Sequence, residues 1–147
     1  MSELSADELD KRPFKGKGAA EWFSKAKRDY LKITAEMVYL CEESKRLIGS
    51  SWYVYLHYRQ QTSQQFLMWR SYSMTDKGHV HLKWDKVEPH LDSVSAARAK
   101  WYREANDRMR LLNAQEQAAR NAFKLAQALL GEVPAVGSTN KVRVTGT

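Results

Sequence analysis

The spacing of apolar residues changes twice along the chain. From Ala19 to Ile48 the stripe Trp22/Phe23, Ala26, Tyr30, Ile33, Met37, Leu40/Cys41, Ser44 and Leu47/Ile48 recurs at three- and four-residue steps. That spacing predicts one long helix, with Gly49 as its C-terminal cap. Lys25, Lys27, Arg28 and Lys32 lie off the stripe among Glu21, Asp29 and Glu36, the mixture of an ordinary solvated face. Between Ser51 and Tyr72 the period drops to two. Trp52, Val54, Leu56 and Tyr58 fall on one face, and Tyr53, Tyr55, His57 and Arg59 on the other. Gln65–Tyr72 alternates Phe66, Met68, Arg70 and Tyr72 against Leu67, Trp69 and Ser71. This is a β-hairpin whose loop, Arg59–Gln64, is too long for a two-residue turn and lacks Gly or Asn. After the turn signal Asp76-Lys77-Gly78, Val80, Leu82 and Trp84 alternate with His79, His81 and Lys83, a third short strand.

From Ser93 to Leu130 the helical spacing returns, through Val94, Ala97, Trp101, Ala105, Met109, Leu112, Ala119, Phe123, Ala126 and Leu130. Asp92 or Ser93 is the expected N-cap, Gly131 the C-cap, and Pro134 stops continuation. Either this helix breaks in two, or its end packs on a second copy, where Ala118, Ala119, Ala122 and Ala126 permit close approach. The expected class is α+β, mainly α: two long helices flanking a two- to three-stranded antiparallel β-meander. Residues 1–18 read as a flexible segment holding a capping box at Ser5–Glu8 and breakers at Pro13, Gly16 and Gly18. Residues 19–131 read as one domain, and 132–147 as a disordered tail.

Charge narrows the partners. The net charge is +7, and the excess is largest, at three, over residues 92–131. A basic chain without a membrane-length apolar run suggests a polyanion partner, most simply nucleic acid; a merely solvated basic surface is the plain alternative. A single Cys41, set in a helical pattern, fits packing rather than chemistry and a reducing compartment. The acidic, polar start is unlike a secretory signal, so a cytoplasmic protein is expected.

The candidate nucleic-acid contacts follow from residue type. Lys15 and Lys17, in Phe14-Lys15-Gly16-Lys17-Gly18, stand ahead of a helix N-terminus where anions are favoured, or belong to a solvated linker. Tyr53 and Tyr55 beside Arg59 and Arg70 combine rings and cations, as base stacking and phosphate binding require; covered by helices, the same rings would be core. Arg98, Lys100, Arg103, Arg108 and Arg110 cluster in the first half of the long helix, diluted by Glu104 and Asp107. The pair His79 and His81, with His57, has no Cys or carboxylate at ligand spacing, so no metal or other cofactor is expected. No nucleophile elbow, P-loop or dinucleotide fingerprint occurs, which favours a non-enzyme.

Three segments carry a family likeness. They are Pro13-Phe14-Lys15-Gly16-Lys17-Gly18 before an aromatic-led helix, Arg59-Gln60-Gln61-Thr62 with Phe66-Leu67-Met68-Trp69-Arg70, and Glu104, Arg108, Leu112-Asn113 and Gln115 on a long helix. In this order, over about residues 12–130, the chain resembles an uncharacterised family of small proteins from integrating conjugative elements of Proteobacteria. Members of that family are found near genes for a single-stranded DNA-binding protein and a type IA topoisomerase. The resemblance implies DNA processing, transfer or maintenance in a mobile genetic element, and carries over no catalytic residue. Its matched polar residues Arg59, Gln60, Gln61, Thr62 and Arg70 sit on the hairpin, where Gln and Arg contact bases or phosphates.

The expected function is therefore a non-enzymatic DNA-binding accessory protein, with single-stranded DNA among its ligands. A single-stranded DNA-binding protein or another transfer protein is an expected partner, and a homodimer through the long C-terminal helix is a further one. The alternative is a protein–protein adaptor or inhibitor acting on a replication, transfer or host defence protein without touching DNA.

Overall fold

The computed structural model describes residues 17–47, 49–72 and 80–132, with the side chain of Val80 excepted. In chain order these form α1 (Lys17–Lys45), β1 (Trp52–Arg59), β2 (Gln64–Ser71), β3 (Val80–Leu82), the one-turn α2 (Trp84–Val87), a 3-10 segment (Glu88–Ser93) and α3 (Ala96–Glu132). The protein is α+β and mostly helical, as the periodicity predicts, with α1 and α3 packing together and a three-stranded antiparallel sheet between them. The expected capping box, the turn at 76–78 and the tail from Val133 lie outside the described residues, as do Lys15 and His79.

The described residues divide into two compact units, 29–120 and, from the two ends of the chain, 17–28 with 121–132. In the paired ends, Phe23 and Phe123 bring their rings to 5.4 Å, and Ala19, Ala26 and Ala126 are buried.

The larger unit holds the main core. It is built from Met37, Leu40 and Cys41 of α1, Val54, Leu67 and Trp69 of the sheet, Val87 and Leu91, and Ala99, Tyr102, Ala105, Met109 and Leu112 of α3. The sheet order is β1-β2-β3, and Val54 lies opposite Trp69 and Leu56 opposite Leu67, so one face gathers the apolar partners of both strands. Burying each such large side chain stabilises by roughly 1.5–3 kcal/mol.

Element ends depart from the sequence expectation for local reasons. α1 starts at Lys17 and takes Gly18 into the helix rather than breaking there. It stops at Lys45, short of Ile48, because the chain tightens: Arg46 N–H donates to Glu43 O and Leu47 N–H to Ser44 O. The buried Ser44 hydroxyl donates to Cys41 O at 2.7 Å and accepts from Val54 N–H at 2.8 Å, fastening the helix end to β1. Gly49 takes the left-handed φ of 75° expected of it, one turn beyond the helix. Trp84 begins α2 rather than extending β3. Neither Asp92 nor Ser93 caps α3. Both belong to the 3-10 segment, which carries Pro89 in its first turn, and Val94 is extended at φ −111° and ψ 170°. Ser95 takes the cap, its Oγ accepting Arg98 N–H at 3.1 Å. α3 is continuous over 37 residues and runs through Gly131, which therefore does not cap it.

The buried stripe of α3 also differs from the apolar one. It runs through Ala99, Tyr102, Ala105, Asn106, Met109, Leu112 and Glu116, while Ala97 is exposed. Its polar members serve β2. Asn106 Oδ1 accepts Trp69 Nε1–H at 3.0 Å. Among the described residues β3 pairs with Trp69–Ser71, so the hairpin-tip half of β2 has β1 on one edge and no strand on the other. There Asn113 takes both backbone groups of Leu67, accepting from N–H at 2.7 Å and donating to O at 3.0 Å. Glu116 Oε2 accepts from Gln65 N–H, Tyr30 Oη–H and Arg120 Nε–H at 3.0, 3.4 and 3.1 Å. These side chains stand in for a fourth strand and close the edge.

Candidate nucleic-acid interface

Strand alternation sends the second set of hairpin side chains away from the core. On that face Tyr53 lies opposite Arg70, Tyr55 opposite Met68, His57 opposite Phe66 and Arg59 opposite Gln64, while His81 of β3 lies opposite Arg70. The Arg70 guanidinium carbon sits 3.6 Å from the Tyr55 ring centroid. The His81 imidazole stacks on Tyr55 at 5.8 Å and meets His57 edge-on at 6.1 Å. His57 in turn lies 5.2 Å from Phe66. From Tyr55 to Arg59, at 3.3 Å per strand residue, this set of rings and cations spans about 13 Å. Tyr55, His57, Phe66, Met68 and Arg70 are half-buried, and Arg59 and His81 are exposed.

Tyr53 is the exception. It is 5% exposed, with the Tyr72 ring at 4.4 Å and Lys45 Nζ at 5.7 Å from its centroid. Of the two tyrosines the sequence nominates for stacking, Tyr55 is the less buried, though the Arg70 guanidinium lies over its ring. Arg70 Nε is buried and meets no hydrogen-bond acceptor, so the ring beneath supplies its electrostatic partner. Burial, then the charge of Arg70, then that of His57 hold the His81 pKa below its ordinary value.

The other nominated residues spread out. Gln60 and Gln61 are exposed in the four-residue loop 60–63, next to Arg59. In that loop Ser63 adopts φ 61°, the left-handed position usually given to Gly, and Thr62 Oγ1 accepts Gln64 N–H at 3.3 Å. The cations of α3 belong to the helix on the core side of the sheet. Lys100, Arg103 and Arg110 share one flank, and at about 100° per residue Arg108 falls on the opposite flank. Arg98 is half-buried, its Nη1 3.8 Å from where a Cβ on Gly49 would lie. Lys17 is exposed at the start of α1. The sheet face and the α3 cations thus do not form one patch.

Four residues of the site are missing from the sequence nomination: His57, Phe66, His81, and the pair-forming Met68. The alternation that placed Tyr55 and Arg70 contains the same signal for them. Lys83, Lys86 and His90 also line a shallow groove with Trp52 that shares His81 with the face. Trp52, Trp69 and Trp84 point the other way and surround Tyr102 or one another as core. Among the described residues no three His, Cys, Asp or Glu side chains converge as metal ligands, and no helix is long and apolar enough to cross a membrane. No family model matches the chain, and no curated protein and no solved structure matches it.

Proposed function

We propose that the protein is a non-enzymatic nucleic-acid-binding accessory protein that holds single-stranded DNA on the outer face of its sheet. The observation that carries this reading is the ladder of Arg70, Tyr55, His81, His57 and Phe66, rings and cations at stacking distance on the face turned away from the core. A sheet face with such rings stacks on bases that are already unpaired, while Arg59 and Arg70 neutralise phosphate. Duplex DNA keeps its bases stacked and offers this face only its backbone. The exposed Gln60 and Gln61 beside Arg59 supply donors and acceptors at one end of the run. The mobile-element setting rests on the family resemblance alone.

Fluorescence anisotropy with labelled single- and double-stranded oligonucleotides, each at two salt concentrations, tests the reading. Single strands are expected to bind more tightly than duplex, with affinity falling as salt rises by a log–log slope of roughly −0.7 per phosphate contacted. Tyr55→Ala removes a stacking ring and is expected to weaken binding roughly 5- to 100-fold. Arg70→Ala weakens binding and flattens the salt slope. Both side chains lie outside the core, so circular dichroism should match the wild type. No binding to either oligonucleotide at low salt overturns the proposal and leaves the protein-adaptor reading.

A further inference from the structure

Tyr55 is the central ring of the outer sheet face, but the side of it that meets Arg70 is already occupied. The guanidinium carbon lies 3.6 Å from the ring centroid, the contact separation of two carbon atoms. The planar fork therefore lies flat on the ring; edge-on, its N–H groups would hold the carbon farther away. Arg70 starts opposite Tyr53 on β1 and reaches the Tyr55 ring along the diagonal. Its Nε is closed in without an acceptor among the described residues, whereas its two terminal nitrogens stay open to solvent. His81 at 5.8 Å and His57 at 6.5 Å border the same ring. A base that approaches Tyr55 from the Arg70 side meets guanidinium first.

Given single-stranded DNA on this face, as proposed above, we infer that a base stacks on the Arg70 guanidinium rather than on a bare ring, and that Tyr55 is the positioning residue that holds the guanidinium flat. A guanidinium plane is a stacking surface for bases in its own right. The layers then run tyrosine, guanidinium, base, with the open terminal nitrogens at the edge for a phosphate of the same strand. The ring also orders the Arg70 side chain before DNA arrives, which lowers the entropy lost on binding. Lysine in its place keeps the charge and loses the plane, so Arg70→Lys separates the two roles.

The test is fluorescence anisotropy on the full chain with a labelled single strand and with an abasic strand of the same length, which keeps the phosphates and lacks the bases. Arg70→Lys is expected to weaken binding to the normal strand about fivefold or more and to leave the salt slope near that of the wild type. On the abasic strand the same variant should differ from the wild type by less than about twofold. Tyr55→Ala should lose a similar factor on the normal strand. The double variant R70K/Y55A should be no more than about twofold weaker than R70K, because the two side chains act as one unit. An Arg70→Lys variant that binds the normal strand as the wild type does overturns the inference, since the base then needs no guanidinium. Equal losses on the two strands overturn it too, because Arg70 is then a phosphate contact alone. So does a double variant in which the two single losses multiply. In these three cases the wild type still binds the single strand and the sheet-face reading stands; a wild type that binds no single strand overturns both.

Discussion

Ser63 holds φ at 61° in an exposed loop, where an L side chain costs roughly 1–2 kcal/mol and Gly costs nothing sterically. Gly also adds entropy to the unfolded chain, which offsets part of the gain. Ser63→Gly is expected to stabilise the protein by about 0.5–1 kcal/mol, read as a higher denaturant midpoint at unchanged m value. A second prediction concerns Cys41. Burial first, and Glu42 to a lesser degree, push its thiol up to about 11 against the opposing pull of Lys45. At neutral pH the thiolate is scarce and shielded, so a disulfide reagent should label Cys41 only as the protein opens. Rapid stoichiometric labelling of the folded protein at neutral pH would contradict this. Residue by residue, the packing role of Cys41 and the two hairpin faces were legible, because strand alternation leaves each side chain only two directions. The closure of Tyr53 by Tyr72 and Lys45 was not, because it depends on how the strand ends meet α1. The left-handed Ser63 was not legible either, since no side-chain type announces that conformation.

Elements were legible in kind and less so at their ends. The long helices and the meander follow from apolar period, but α1 ends where Ser44 turns its hydroxyl between Cys41 O and Val54 N–H, a contact ten residues long in sequence. The stripe on α3 is the clearest departure. A hydrophobic pattern cannot count Asn106, Asn113 and Glu116 as inward-facing, yet their buried partners on β2 require polar groups there. The resemblance motif contains Asn113, though nothing in the sequence says that it faces a strand edge. Asn113→Ala leaves both Leu67 backbone groups without their partner and is expected to cost about 1–3 kcal/mol. Hydrogen exchange locates the effect: the Leu67 and Gln65 amides should lose protection more than the Val54 amide, which Ser44 holds. Uniform loss of protection across the sheet would show that Asn113 matters to global packing rather than to that edge.

At the scale of the whole molecule the sheet separates two chemistries within residues 29–120. One face meets the helices through Trp69, Leu67 and Val54, and the other carries Arg70, Tyr55, His57 and His81. Net charge of +7 draws a polyanion to any part of such a surface, so salt dependence alone does not identify the face. Protons do. His81 in the free protein has a pKa below its ordinary value, through burial, Arg70 and His57 in that order. The unfolded chain therefore takes up this proton before the folded one does, and the stability that depends on neutral His81 is intact above the ordinary histidine range and lost as pH falls through it. Phosphate on the face acts in the opposite sense. It offsets the Arg70 charge and favours imidazolium, so the complex binds more protons than the free protein, and affinity rises as pH falls from about 7.5 to about 5.5. Acid should thus weaken the fold and tighten the complex, two trends that a nonspecific basic surface without a histidine at the contact would not pair. His81→Gln is expected to flatten the pH dependence of affinity while leaving the salt dependence near its wild-type slope. If the variant keeps the full pH response, the DNA lies elsewhere, and the separate Lys100, Arg103 and Arg110 flank of α3 becomes the surface to mutate.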